Sequence, residues 1–199
     1  MSSFEHLLGI VEEHPLSRSL PRVLTVATTI GAQDLADWVK LELMGYYAEN
    51  PAMTDDVVIP EYRGIAGNWY DDFGRMLLLD DPKLHFVNEI RLRQGVAELE
   101  GYATASGPLH TRELSNAAII RETLKVPVTA FQFDANSIRQ VLTNIRVHLL
   151  DKLAAHRDEI AAVAVVETPV EREIVKLRPE FHGIGIDLKA LWRRLFGPK

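Results

Sequence analysis

A chain of 199 residues without a single cysteine has room for one sizeable hydrophobic core, but for no disulfide, thiolate metal site, iron-sulfur cluster or cysteine nucleophile. Its 22 basic and 28 acidic residues leave a net charge of -6, which argues against general affinity for nucleic-acid phosphates or for anionic membrane surfaces. A hydrophobic share of 47% beside 25% charged residues is that of an ordinary soluble globular protein.

The first elements are helical. Phe4, Leu7, Leu8 and Val11 fall at helical spacing, and His14-Pro15 ends that run because a residue before proline avoids the helical basin. A second helix is predicted from near Ser19, with Pro21 in its first turn, Leu20, Leu24, Ala27 and Ile30 on one face, and Gly31 as its stop. A third runs from about Gln33 to Met44 and buries Leu35, Trp38, Val39 and Leu43, with Gly45 as cap. At 100° per residue Glu42 falls inside that buried arc, so a carboxylate stands where an aliphatic side chain belongs and needs a partner.

Between Tyr46 and Asp81 the periodicity fades. Val57 to Ile59 and Met76 to Leu79 read as two short strands, predicted to pair as a hairpin around a loop carrying Gly64, Gly67 and Gly74. A helix is predicted from Leu84 to about Ala105, with Gly95 a weak point inside it, and Gly107-Pro108 closes it. Ile119 and Ile120 belong to a short helix or strand, and Val126 to Phe133 has the composition of a strand. The strongest element follows: Asp134 or Asn136 as N-cap, then Ile138, Val141, Leu142, Ile145, Leu149, Leu153, His156 and Ile160 along one central helix. Thr168, Pro169 and Glu171 match a capping box with proline at the first helical position, ahead of a final amphipathic segment.

Two motifs carry a family resemblance. Trp38-Val39-Lys40-Leu41-Glu42-Leu43-Met44-Gly45-Tyr46 and Ile59-Pro60-Glu61-Tyr62-Arg63 resemble the AbiTii domain of bacterial abortive-infection systems. There a tryptophan helix runs into a Glu-Leu-x-Gly-Tyr turn, followed by Pro-x-Tyr-Arg. Ile145-Arg146-Val147-His148-Leu149-Leu150-Asp151 is similar to a later helix of that family, while Lys152 and His156 depart from its pattern. The likeness spans Phe4 to Ile160. It implies a role in phage defence, as a toxin or as an adaptor between a sensor and an effector, and it supplies no catalytic residue.

Glu42 has two readings. In one it meets Arg63 in a structural ion pair that pins the loop after Tyr46 onto the third helix; in the other it is an acid or base in a cleft walled by Trp38, Tyr46 and Tyr62. The first is preferred, because perturbed ionisable groups are often structural pairs. The doublets Asp55-Asp56, Asp71-Asp72 and Asp80-Asp81 read as solvated turn charges rather than a magnesium site, since adjacent carboxylates rarely converge on one ion. The seven histidines, His6, His14, His85, His110, His148, His156 and His182, have no metal-ligand spacing. There is no phosphate loop or nucleophile elbow, and Gly183-Ile184-Gly185 lacks the third glycine of a dinucleotide fingerprint. Arg91, Arg93, Arg112, Arg121, Arg139 and Arg146 show no interleaved aromatics of the kind that bind nucleic acid.

The last thirty residues differ from the rest. Val170 to Lys199 holds seven basic residues against four acidic ones, so it carries +3 and the remainder -9. Ile184, Ile186, Leu188, Leu191, Trp192, Leu195 and Phe196 give it an apolar face that must be covered, by the acidic body or by a second copy in preference to a membrane surface. The opening residues Met1 to Glu12 lack the charge pattern of a secretory signal, and no apolar run approaches the roughly 18 residues of a membrane span. A cytoplasmic location is expected.

The expected fold is α+β and mainly α: a helical body around a long central helix, with a small strand-rich insert near residues 46–81. It forms a domain over residues 1–168, followed by a C-terminal amphipathic appendage over 169–199. The expected function is that of a non-catalytic interaction module, toxin or adaptor, of an abortive-infection system. It would act through protein contacts and self-association, with an effector or sensor protein as the other partner. No catalytic residue, metal, cofactor or general nucleic-acid contact is expected. Trp38, Tyr46, Tyr62, Leu188, Leu191, Trp192, Leu195 and Phe196 are the expected contact surfaces. Two alternatives stay open: a toxin enzyme acting on nucleic acid or nucleotide with a divalent metal, and a membrane-active toxin using the C-terminal helix.

Overall fold

The computed structural model describes residues 2–77, 86–111, 117–125 and 127–163. Met1–Val165 groups as one compact unit. The Thr168-Pro169-Glu171 signal and the residues Leu188, Leu191, Trp192, Leu195 and Phe196 lie outside the described residues.

Helix α1 (Ser3–Glu13) begins at a reciprocal cap: the Glu5 amide donates to the Ser2 hydroxyl and the Ser2 amide to the Glu5 carboxylate. It buries Phe4, Leu7, Ile10 and Val11 and ends at His14. Helix α2 (Leu16–Ile30) starts directly after Pro15, three residues before the expected start. Pro15 is its N-cap, accepting from the amides of Arg18 and Ser19, and the buried Ser19 hydroxyl donates to the Ile10 and Pro15 carbonyls across the break. Pro21 is therefore inside the helix rather than in its first turn. It is tolerated on an exposed face, where water can reach the Ser17 carbonyl that has lost its helical donor. Gly31 ends α2 in the left-handed conformation (φ 75°), and α3 (Gln33–Met44) packs back against α2 through Leu35, Ala36 and Val39.

The insert differs from the expected hairpin. Val57 to Ile59 forms no strand; Val57 and Ile59 pack with Met53 against a small cluster of Leu41, Tyr46 and Ala52. Pro60 offers no ladder donor, and the Ile59 carbonyl accepts from the Arg91 guanidinium. After a single 3-10 turn at Glu61–Arg63, β1 (Gly64–Ala66) pairs antiparallel with β4 (Glu89–Arg91), and β2 (Asn68–Tyr70) pairs with β3 (Met76–Leu77). Met76 and Leu77 are thus in a strand, but their partner is β2.

The expected long helix from Leu84 is replaced by two elements, β4 and then α4 (Val96–Ala103), with Gly95 at the N-cap instead of the interior. The four-stranded antiparallel sheet has the order β3-β2-β6-β5, with β5 at Leu109–Thr111 and β6 at Ala130–Phe133. Its inner face carries Trp69 and Phe131, edge to face at 5.0 Å, and the Trp69 indole donates to the Val87 carbonyl at 2.7 Å. Helix α5 (Ala117–Leu124) buries Ala117 and Ile120.

Helix α6 (Ala135–Ala155) is capped by Asp134, whose carboxylate accepts from the amides of Asn136 and Ser137. Ile138, Val141, Ile145, Leu149 and Leu153 form its buried stripe, which packs on α4, β1 and the 3-10 turn. The helical run breaks at His156, and α7 (Arg157–Ala162) follows with Ile160 buried. Among the described residues the architecture is a mainly helical α+β body with a small antiparallel sheet insert.

Candidate functional site

Glu42 lies on the last turn of α3 and has no exposed surface. One of its oxygens, Oε1, accepts from the hydroxyls of Tyr46 and Tyr62, each at 2.8 Å. The other, Oε2, accepts from Arg63 Nη2 at 2.7 Å and Nε at 3.2 Å. Arg63 is equally buried, and its Nη1 donates to the carbonyls of Leu92 (2.9 Å) and Gln94 (2.7 Å). Its guanidinium also stands 4.8 Å from the Tyr46 ring centroid. The structure thus brings Glu42 and Arg63 into one sealed ion pair with four donors on the carboxylate.

Local sequence explains how the groups converge. Gly45 turns the chain at φ 83° and ψ 173°, a region open essentially to glycine alone, which sends Tyr46 back under the helix end. The Tyr46 amide donates to the Arg93 carbonyl, and the Arg63 carbonyl accepts from the Leu92 amide, so the segment 92–95 is stitched to both. Asn50, buried and not recognised from sequence, donates to the Gly45 and Lys40 carbonyls and holds the loop against the end of α3. Its only sequence signal is the Asn50-Pro51 turn dipeptide.

Burial, with the Glu42 charge adding to it, pushes the hydroxyls of Tyr46 and Tyr62 well above the ordinary tyrosine range, so both stay protonated donors. A carboxylate with both oxygens doubly engaged and no surface open to solvent has no free lone pair to offer a substrate. Tyr46, expected on a contact surface, is instead buried at 1% exposure. Trp38 and Tyr62 are half-buried; the Trp38 indole donates to the Tyr62 hydroxyl at 2.9 Å, and the Lys152 ammonium stands 5.7 Å from the Trp38 ring. His148 is exposed and stacks on the Tyr62 ring at 4.2 Å between centroids.

The other candidates form no common cluster among the described residues, and Asp80, Asp81, His85, Arg112 and His182 lie outside them. Asp55 and Asp56 are exposed, while Asp71 is buried and organises its turn, accepting from the amides of Phe73 and Arg75 and from the Arg75 guanidinium. The hydrogen bond from the Arg75 amide, with the Arg75 charge and the Phe73 amide behind it, holds the Asp71 carboxyl below its ordinary 3.8. That contribution is fully present above pH 3.8 and is lost as the pH falls through the depressed value. Acidification to that range should therefore open this turn, read as lost amide-exchange protection at Arg75; protection unchanged by acid would count against the assignment. Arg91, Arg121 and Arg146 donate to the carbonyls of Ile59, Val128 and His14, and Arg139 donates to the Asn136 side-chain oxygen within α6. No set of three His, Asp or Glu side chains suited to a metal occurs among the described residues, and none of the described helices is long and apolar enough to cross a membrane.

The motifs that build this cluster lie within residues 8–176, the span over which the AbiTii family model matches. No curated protein and no solved structure matches the chain. A match over that much of its length means that the chain belongs to the AbiTii family, and so to the proteins of abortive-infection defence.

Proposed function

We propose that this chain is a non-catalytic interaction module of its abortive-infection system, toxin or adaptor, acting in the cytoplasm through protein contacts and self-association. The observation that carries this reading is the saturation of Glu42: the side chain best placed in sequence to do chemistry is enclosed and fully hydrogen-bonded. Its role in this reading is scaffolding, with Arg63 joining α3 to the segment before α4. Function then falls to outward surfaces. One is Phe73, 80% exposed at the tip of the turn that Asp71 locks, with the Arg75 guanidinium 5.0 Å from its ring. A large exposed aromatic beside an arginine, on a turn whose backbone is tied to Asp71, has the character of a contact hot spot. The other is the apolar and basic segment carrying Leu188, Leu191, Trp192, Leu195 and Phe196.

Light scattering on the full chain tests self-association. The protein should run as a multimer, and Leu191→Asp with Trp192→Ser should reduce it to the single-chain mass; a multimer unaffected by that pair, or a monomeric parent, rejects the reading. Phe73→Ser should leave the melting temperature nearly unchanged and lower protection against phage by about tenfold or more, the scale of a hot-spot loss. Full protection by this variant would remove Phe73 from the contact surface.

A further inference from the structure

The break between α6 and α7 is built around a histidine with a carboxylate at each ring nitrogen. His156 Nδ1 lies 2.6 Å from Glu159 Oε2 in the first turn of α7, and Nε2 lies 3.4 Å from the Asp34 carboxylate at the start of α3. A neutral imidazole can donate from only one nitrogen, and its other lone pair would then face a carboxylate oxygen. Only the imidazolium satisfies both contacts.

We propose that protonated His156 is a pH-sensitive latch that fixes α7 against α3, and that its deprotonation releases α7. Helix α7 otherwise packs on α1 and α2, and His156 is its tie to the start of α3. Helix α7 is six residues long and buries Ile160; the Ser3 hydroxyl donates to the Val163 carbonyl, and the Arg157 guanidinium stands over the Phe4 ring of α1. The charges around the latch come from three elements. Asp34 is on α3, Asp158, Glu159 and Arg157 are on α7, and Lys152, which acts on Asp34, is one turn earlier on α6. Helix α2, which also packs on α7, carries Arg18 and Arg22 and no carboxylate. On α1 the ionisable groups are Glu5, His6, Glu12 and Glu13.

The hydrogen bond to Glu159, and after it the contact with Asp34, raises the imidazole above its ordinary 6.5 against the opposing effect of burial. A raised value means that the latch is fully closed below 6.5 and opens as the pH climbs through the higher folded value. Asp34 and Glu159 are largely exposed, at 70% and 60%, so solvent screening confines the effect to local opening.

Amide hydrogen exchange on the full chain, expressed as protection factors from about pH 6 to pH 9 across the histidine range, reads this directly. Protection at Ile160 and Val163 should fall by about two- to fivefold relative to Val23 in α2 as the pH rises, the range of an exposed ion pair. His156→Gln should exchange at the released rate throughout, and Asp34→Asn should move the transition to lower pH. The imidazole resonance of His156 should titrate above 6.5. A constant ratio between α7 and α2, or an imidazole that titrates at or below its ordinary value, overturns the latch. Asp34→Asn perturbs an exposed side chain, so its transition can be measured even if His156→Gln unfolds.

Discussion

Glu42→Gln is expected to destabilise the protein by about 3 to 5 kcal/mol, the cost of removing one partner from a buried ion pair. The amide has the shape of the carboxylate, so packing is kept while the charge is not. Arg63 is left as a buried cation with two neutral carbonyls, those of Leu92 and Gln94, and an amide whose NH2 must face either the Arg63 donors or the two tyrosine hydroxyls. Tyr46→Phe removes only one of four donors and should cost about 1.5 to 3 kcal/mol, the range for a hydrogen bond to a charged group. The paired change Glu42→Leu with Arg63→Met should recover only part of the loss. Replacing a whole buried pair by apolar groups is often nearly neutral. Here, though, it takes the acceptor from the hydroxyls of Tyr46 and Tyr62 and the donor from two main-chain carbonyls. Urea unfolding at constant m-value measures all three. A loss below about 1 kcal/mol for Glu42→Gln, well under the buried-pair range, would reject the scaffold role. Reduced defence activity per folded molecule at unchanged stability would move Glu42 into the working site.

How much of this cluster can be read from sequence depends on which forces are local. The burial of Glu42 follows from the 3.6-residue period of α3, and the cationic character of its partner follows from the cost of a lone buried charge. Nothing local marks the two tyrosine hydroxyls as donors, and an aromatic next to a helix end reads equally well as exposed. That is why Tyr46 is expected on the surface, and it is the Gly45 turn that carries it inward. The carbonyls of Leu92 and Gln94 lie 29 and 31 residues beyond Arg63 and leave no sequence trace at all.

The fold shows the same division. Helices α1, α3 and α6 and the start of α6 at Asp134 are legible because their stripes repeat over several turns. Strands β1, β2 and β4 have three residues each, too few for alternation to register, and their pairing joins segments about 25 or 60 residues apart. The apolar residues after Leu84 read as one helix only while Gly95 counts as an interior defect. As an N-cap, with φ -70° and ψ 159°, it separates a strand from α4.

Gly45→Ala should be the most damaging small substitution, at about 4 kcal/mol, because two independent costs meet at this residue. Its backbone lies where only glycine is comfortable, a strain of roughly 1 to 3 kcal/mol for any other residue. An added Cβ would also sit 2.4 Å from the Arg93 carbonyl oxygen, a main-chain atom that cannot swing aside, for about 1 to 3 kcal/mol more. Two comparison variants separate these costs. Gly31→Ala carries only the left-handed strain, since nothing lies within 4 Å of its Cβ, and should cost about 1 to 2 kcal/mol. Gly95→Ala carries only the steric cost, with φ at -70° and a Cβ 2.3 Å from the Leu43 carbonyl oxygen. The contact matters beyond its own energy, because relieving it would part the end of α3 from residues 93–95. The Tyr46 amide would then lose the Arg93 carbonyl, and Arg63 would lose the geometry that lets it reach both Gln94 and Glu42. Gly45→Ala should therefore also expose Tyr46, read as accessibility to tyrosine modification under native conditions, while Gly31→Ala should not. Equal stability losses in these two variants, with Tyr46 protected in both, would show that the cluster does not depend on this close approach.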